Sequence, residues 1–413
     1  MRKAIDSAGQ LSFPDGFIWG AGISAHQVEG GNRHNDWWAF EQQGKVAHND
    51  SSGLATDHYN RFEEDFAIAE SLGLSAVKIS VEWSRIERER GVYDQDEIAH
   101  YVEVVKSARA HGLSPYVTLH HFTNPHWLGA YGWWEGASTP ALFAEFVRAV
   151  VVPLEPWVDT WITINEPMLL ASAGYLFGIW PPERKGWASA WRVARNLVRA
   201  HRLAYDSIHE LDTVCRVGPA VNVTALKHPG RPTRRDRLLG GWVDWVANYY
   251  FIDHVKDRSD FVGVQYYTRA TVQQLLAGDP MALPTGIRPL PKTDMGWEIY
   301  PKGLYYTVRS MAKRSGKPII VTENGIADAA DERREGFIIE HLQWLHRAIE
   351  EGCDVRGYFH WALTDNFEWR EGFEPCFGLA AIKYPTLERT VRSSARTYEH
   401  ICRQNAVPAP VKP

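Results

Sequence analysis

Short apolar runs alternate with longer stretches of helical periodicity along almost the whole chain. The runs predict eight strands: Phe17–Gly22, Ala76–Val81, Pro115–His120, Thr160–Ile164, Arg216–Asn222, Phe261–Tyr267, Lys317–Thr322 and Val355–Trp361. Several are nearly continuous in apolar or β-branched residues, as parallel strands covered by helices are. Helices fill the gaps. Tyr101, Val104, Val105 and Ala108 share one helical face. Thr139-Pro140 reads as an N-cap and first helical residue ahead of Phe143, Phe146, Val147 and Val150. Ile338, Leu342, Leu345 and Ile349 form a third stripe, with Gly352 placed to end it. Eight strands alternating with helices predict a closed (β/α)₈ barrel rather than a doubly wound sheet, spanning 1–413 as one domain with its core from 13 to 398.

Charge and cysteine content exclude several function classes. A net charge of -5 argues against nucleic acid as the main partner. The densest basic stretch, Arg231 to Arg237, reads as a solvated loop. Cys215, Cys353, Cys376 and Cys402 form no CxxC pair and no zinc spacing, so free thiols in a reducing compartment are expected. Met1 to Gln10 lacks an apolar signal region, and no run reaches the length of a membrane span. The expectation is a cytoplasmic protein without a membrane span, cofactor or metal. The 18 Trp and 17 Tyr change the picture further. Each pairs a flat apolar face with a polar edge, which suits the C–H faces and hydroxyl rim of a sugar.

In a barrel of this kind the chemistry sits at the C-terminal strand ends, and polar residues cluster there. The first strand is followed by His26, Gln27 and Glu29, the second by Glu82-Trp83-Ser84-Arg85, and the third by His120-His121. The fourth ends at Asn165-Glu166-Pro167, the fifth at Asn222, and the sixth carries Gln265, Tyr266 and Tyr267. The seventh ends at Glu323-Asn324-Gly325, and the eighth runs through Trp361 into Asp365-Asn366-Phe367-Glu368-Trp369. Pro167 predicts an extended Glu166, and Asn324-Gly325 predicts a turn just past Glu323. Strands four and seven lie almost opposite in an eight-strand ring, so the two carboxyls can face each other. Glycoside hydrolysis needs such a pair, about 5–5.5 Å apart for retention and about 6.5–9.5 Å for inversion. The residues alone leave that choice open.

The ordered motifs Phe17-Ile18-Trp19-Gly20, Gln27-Val28-Glu29-Gly30, Trp83-Ser84-Arg85-Ile86, Thr118-Leu119-His120-His121-Phe122, Thr163-Ile164-Asn165-Glu166-Pro167, Val321-Thr322-Glu323-Asn324-Gly325, Asp365-Asn366-Phe367-Glu368-Trp369 and Phe377-Gly378-Leu379 resemble glycoside hydrolase family 1 from Phe13 to Tyr398. The resemblance implies a retaining β-glycosidase that takes a carbohydrate substrate, and leaves self-association open. It implies Glu166 as acid/base and Glu323 as nucleophile, with Arg85 and Tyr267 flanking Glu323. Asn165 would hold the sugar 2-hydroxyl. Gln27, His121, Glu368 and Trp369 would bind the other glycone hydroxyls, over Trp361 as platform and with Phe377 near the 6-position. Met168 and Asn222 would lie toward the leaving group.

Three positions depart from the family pattern. Gln265 replaces an Asn, Met168 a common Trp, and Lys383 an acidic residue. The segment Glu374-Pro375-Cys376-Phe377 lacks the residues of 6-phosphosugar members, which argues for an unphosphorylated glycone. Three other readings are carried: a transglycosylase using the same two glutamates, a non-catalytic sugar binder, and a metal-dependent barrel hydrolase built on His26, His120 and His121.

Overall fold

The computed structural model describes residues 9–211, 214–227, 234–277 and 290–410. The basic stretch from Arg231 lies outside them as far as residue 233, and the N-terminal reading lies outside them as far as residue 8. All eight expected strands form: β1 (Ile18–Gly22), β2 (Ala76–Ser80), β3 (Ser114–Thr118), β4 (Thr160–Asn165), β5 (Arg216–Asn222), β6 (Val262–Gln265), β7 (Ile319–Asn324) and β8 (Val355–Trp361). Each pairs in parallel with the next, and β8 pairs with β1 to close the barrel. Helices cover it: α1 (His58–Ser71), α2 (Gln95–Ala110), α3 (Thr139–Leu154), α4 (Trp187–Leu211), α5 (Arg234–Asp244), α6 (Pro301–Ser315), α7 (Arg334–Glu350) and α8 (Ser393–Gln404).

The expected apolar stripes are the buried ones. Tyr101, Val104, Val105 and Ala108 of α2 and Phe143, Phe146, Val147 and Val150 of α3 face the core. Fully burying one such aliphatic or aromatic side chain contributes roughly 1.5–3 kcal/mol. Asp94 caps α2 by accepting from the amides of Asp96 and Glu97, at 3.1 and 3.3 Å. Thr139 is the first residue of α3 rather than its cap, which is Ser138. Gly352, at φ 94°, ends the turn after α7.

Inside the barrel, Ile18, Ala76, Tyr116, Ile162, Ala220, Phe261, Ile320 and Phe359 form an apolar plug. The fit is tight: a Cβ on Gly20 would lie 2.4 Å from the Phe359 ring. With the lower barrel filled, polar side chains are confined to the layer above it, at the C-terminal strand ends. No helix among the described residues is long and apolar enough to cross a membrane.

Candidate active site

Strand alternation decides which residues enter the pocket. In β2, Ala76 faces the barrel axis, so Lys78 does too, whereas Val77 and Ile79 pack outward against the helices. Lys78 is completely buried and binds the Glu323 carboxylate through Nζ. The same ammonium donates to Asn165 Oδ1 at 3.0 Å and lies 5.6 Å from the Trp361 ring centre. The second Glu323 oxygen accepts from the Tyr267 hydroxyl at 2.5 Å. Glu323 therefore has a cation on one oxygen and a phenol on the other.

Arg85 does not occupy the position expected of it. The helical turn Trp83–Ile86 carries it behind the end of β2. There it donates to Glu29 at 3.1 Å and to the Gly30 carbonyl at 2.6 Å, over the Tyr59 ring. The cation beside Glu323 is Lys78, which sequence reading missed. Its signal was present: a lysine at an inward position of an otherwise apolar strand demands a buried anion.

The backbone at Glu166 also differs from expectation. It is not extended but left-handed, at φ 45° and ψ 56°. The following proline disfavours the right-handed helical region, and a 2.7 Å bond from the Glu166 amide to the Ala220 carbonyl of β5 holds the bend. Left-handed geometry costs a non-glycine residue roughly 1–2 kcal/mol, strain of the kind kept at functional sites. The bend starts the short helix Pro167–Leu170. The Glu166 carboxyl is buried, and its Oε1 has no hydrogen-bond partner among the described residues. Burial, then the charge of Glu323, push its pKa well above the usual carboxylate value. Lys78 opposes them, Glu368 adds to them, and Asn222 on β5 opposes by hydrogen bonding to the carboxyl.

Past Glu323 the chain does not turn at once. Asn324 is still in β7, donating to the Tyr266 carbonyl at 2.6 Å and accepting from the Tyr358 hydroxyl at 3.0 Å. Gly325 is required by a close approach, since a Cβ there would lie 1.8 Å from the Trp361 carbonyl oxygen.

The expected sugar-binding residues do come together. Gln27 donates to Asn366 Oδ1, the Phe367 carbonyl and Glu368, at 3.1, 3.0 and 3.3 Å. His121 stacks on both Trp361 and Trp369, with ring centres 6.1 and 6.0 Å away. Burial, helped by Lys78, holds the His121 pKa well below its ordinary value, so the ring is neutral. Its Nε2 faces the Asn165 amide nitrogen at 3.3 Å, and its Nδ1 has no partner among the described residues. His120 points away into Trp83, Trp134 and Phe143. Burial and then the Glu323 charge push Glu368 up to about 8. Phe377 packs against Tyr267 and Trp297. Arg392 grips both Asp365 oxygens at 2.8 Å and so anchors the loop that carries Glu368 and Trp369.

On the Glu166 side, Met168 is half-buried against the apolar core, and Asn222 ends β5. Gln265 is fully buried and donates to Asn165 Oδ1 at 2.8 Å. Its extra methylene leaves Tyr267 on Glu323. Lys383 is exposed in the hairpin Ala380–Lys383/Glu388–Val391, away from the site. Among the described residues, no group of three or more His, Cys, Asp or Glu could hold a metal ion.

Comparison with known proteins gives the same picture. The model of glycosyl hydrolase family 1 matches residues 10–254 and 248–407. β-Glucosidase A of Thermotoga maritima is 31% identical, over 96% of this chain and 98% of that one. A β-galactosidase of Sulfolobus acidocaldarius is 31% identical, over 96% of both. Among solved structures, a β-glycosidase from Pyrococcus horikoshii superposes with a TM-score of 0.88 at 38% identity, over 96% of both chains. The Thermotoga maritima β-glucosidase in complex with glucoimidazole gives 0.87 at 28% identity, over 95% of this chain and 99% of that one. The chain belongs to glycosyl hydrolase family 1 and is a β-glycosidase.

Proposed function

We propose that the protein cleaves terminal β-linked glucose or a related sugar by double displacement with retention, Glu323 acting as nucleophile and Glu166 as acid and then base. The observation that carries this reading is the unequal setting of the two carboxyls. Glu323 is gripped by an ammonium on one oxygen and a phenol on the other, which fix its direction as attack on a carbon requires. Glu166 is buried beside that charge with an unpartnered oxygen, which favours its protonated form.

In the first step a Glu323 oxygen attacks the anomeric carbon. The bond from that carbon to the leaving oxygen breaks, and Glu166 gives its proton to that oxygen. In the second step water attacks the anomeric carbon, Glu166 takes its proton, and the bond to Glu323 breaks. Neutralising Glu323 in the intermediate removes a charge that raises the Glu166 pKa, so Glu166 becomes a better base when a base is needed. Asn165 directs its amide nitrogen to the 2-hydroxyl, because its carbonyl oxygen already accepts from Lys78 and Gln265. His121, Gln27, Glu368 and Trp369 take the remaining glycone hydroxyls, Trp361 underlies the ring and Phe377 closes the side of the 6-position.

Proton NMR of the first sugar released from a p-nitrophenyl β-glucoside tests the stereochemistry. A β-anomer appearing before mutarotation supports retention, and an α-anomer overturns it. Free thiols at Cys215, Cys353, Cys376 and Cys402 support a reducing, cytoplasmic setting.

A further inference from the structure

Outside the catalytic pocket, a groove of about 400 Å³ runs between α4 and the helical segments that follow α5. It is lined by Trp191, Arg195, Val198, Trp245, Tyr250 and His254, and its volume is that of a small-molecule site. Trp191 is 44% exposed although its ring lies 4.7 Å from Tyr250. Trp245 meets the same tyrosine edge-on at 5.4 Å and is held by a 2.9 Å bond from its indole nitrogen to Asp253. A π-helical segment, Trp245–Tyr249, sets these two rings; such turns recur at functional sites. Beyond the groove, Trp187 and Trp242 are 57% and 46% exposed with ring centres 5.9 Å apart, which lengthens the aromatic surface.

The polar groups of the groove are set for hydroxyls. The Arg195 side chain is exposed and makes no hydrogen bond or ion pair among the described residues, so its guanidinium N–H groups are available as donors. His254 uses Nδ1 to donate to the Tyr250 carbonyl at 2.7 Å. In the neutral ring Nε2 is then an acceptor. Aromatic faces beside an uncommitted donor and acceptor match the C–H face and hydroxyl rim of a sugar better than they match an apolar partner. The wall is also tied to the catalytic side. Asn248, inside the π segment, clamps Thr224 by its amide and carbonyl at 2.9 and 3.0 Å. Thr224 lies two residues beyond Asn222, which reaches Glu166.

We propose that this groove is a second carbohydrate-binding site, which holds a β-linked oligosaccharide on the outer wall of the barrel. The proposal goes beyond the catalytic reading and is tested by binding rather than turnover. The full chain carrying Glu323→Gln is titrated with cellotetraose, laminaritetraose and mannotetraose by calorimetry, alone and combined with Trp191→Ala or Arg195→Ala. Both groove side chains are exposed, so folding is retained. At least one oligosaccharide should show two classes of site. The second class should weaken about tenfold or more in each groove variant, and the first should be unchanged. In the otherwise wild-type chain, Trp191→Ala should leave hydrolysis of a p-nitrophenyl β-glucoside unchanged. A single class of site with all three oligosaccharides overturns the proposal, as does a second class indifferent to both substitutions. Sedimentation showing that Trp191→Ala splits a dimer without altering sugar binding also overturns it, and assigns the groove to a subunit contact. Because binding is read directly, loss of the groove site and failure of the catalytic assignment give separate results.

Discussion

The two ends of the pocket treat the same side chain in opposite ways. At the end of β7, Glu323 is still in the strand, at a break in its register with β6, with Lys78 on one oxygen and Tyr267 on the other. At the end of β4, Glu166 sits at φ 45°, with one oxygen unpartnered and its charge disfavoured by burial and by Glu323. Two donors, one on each oxygen, hold the Glu323 carboxyl in place. A left-handed bend places the Glu166 carboxyl where burial and a neighbouring carboxylate raise its pKa. Identical side chains thus have unequal surroundings, which is the basis of the proposed division of roles, and the charge of Glu323 is part of what sets Glu166 apart.

The sharpest way to break this comparison is to remove the carboxyls in turn. Glu323→Ala should lower kcat/KM on aryl β-glucosides by about 10⁴-fold or more, and added azide should yield an α-glycosyl azide by attack from the face Glu323 used. Glu166→Ala should lose about 10²–10⁴-fold on poor leaving groups and much less on dinitrophenyl glycosides, whose leaving oxygen needs no proton. Azide should there yield a β-glycosyl azide. The same azide stereochemistry from both variants would contradict the division of roles.

Lys78→Met comes next. Removing a preorganised donor of this kind costs about 10²–10³-fold in kcat, measured on the same substrates, and Lys78→Arg should recover part of it. The substitution also carries a pH signature. Lys78 lowers the Glu166 pKa, so its removal should move the alkaline limb of kcat/KM upward. Glu323→Gln works in the opposite direction. It removes the charge that raises Glu166, and the Glu166 carboxyl, followed by carbon NMR in labelled protein, should titrate at lower pH than in the wild type. The proposed mechanism needs protonated Glu166 in the first step, so the alkaline limb should lie above the ordinary carboxylate range, with activity falling as pH rises through the raised value.

The smallest effect on catalysis is expected at Arg85. Arg85→Gln leaves Glu29 buried without its cation and should cost about 3 kcal/mol of stability by urea denaturation, with kcat almost unchanged. A collapse of kcat in a folded Arg85→Gln protein would return that residue to the nucleophile.

Much of the framework was legible because it rests on periodicity. An apolar run of five to seven residues between helical stripes has little else to become, and all eight strands lie where the pattern put them, with ends displaced by a residue or two. At β7 the end moved outward because pairing outlasts apolarity: the strand continues through the polar Glu323 and Asn324, which still pair with β6 and β8, whereas β2, β3 and β6 stop one or two residues short of their apolar runs. The expected glycone residues converge because barrel closure brings every strand end to one rim. What sequence left hidden was orientation. Lys78 faces inward within β2, whereas Arg85 lies beyond the strand in the turn Trp83–Ile86, and it is that turn that carries Arg85 behind the pocket. The left-handed Glu166 was equally hidden, since a following proline excludes one backbone region without choosing between the others.

The most direct test of the division of labour is intact-protein and peptide mass spectrometry after incubation with activated 2-deoxy-2-fluoro-β-glycosides of gluco and galacto configuration. The fluorine slows both steps, so a glycosyl-enzyme should accumulate as a single one-sugar adduct on the peptide containing Glu323, with the faster-labelling sugar indicating the preferred glycone. An adduct on Glu166, or none with either sugar on folded protein that hydrolyses β-glycosides, would contradict it.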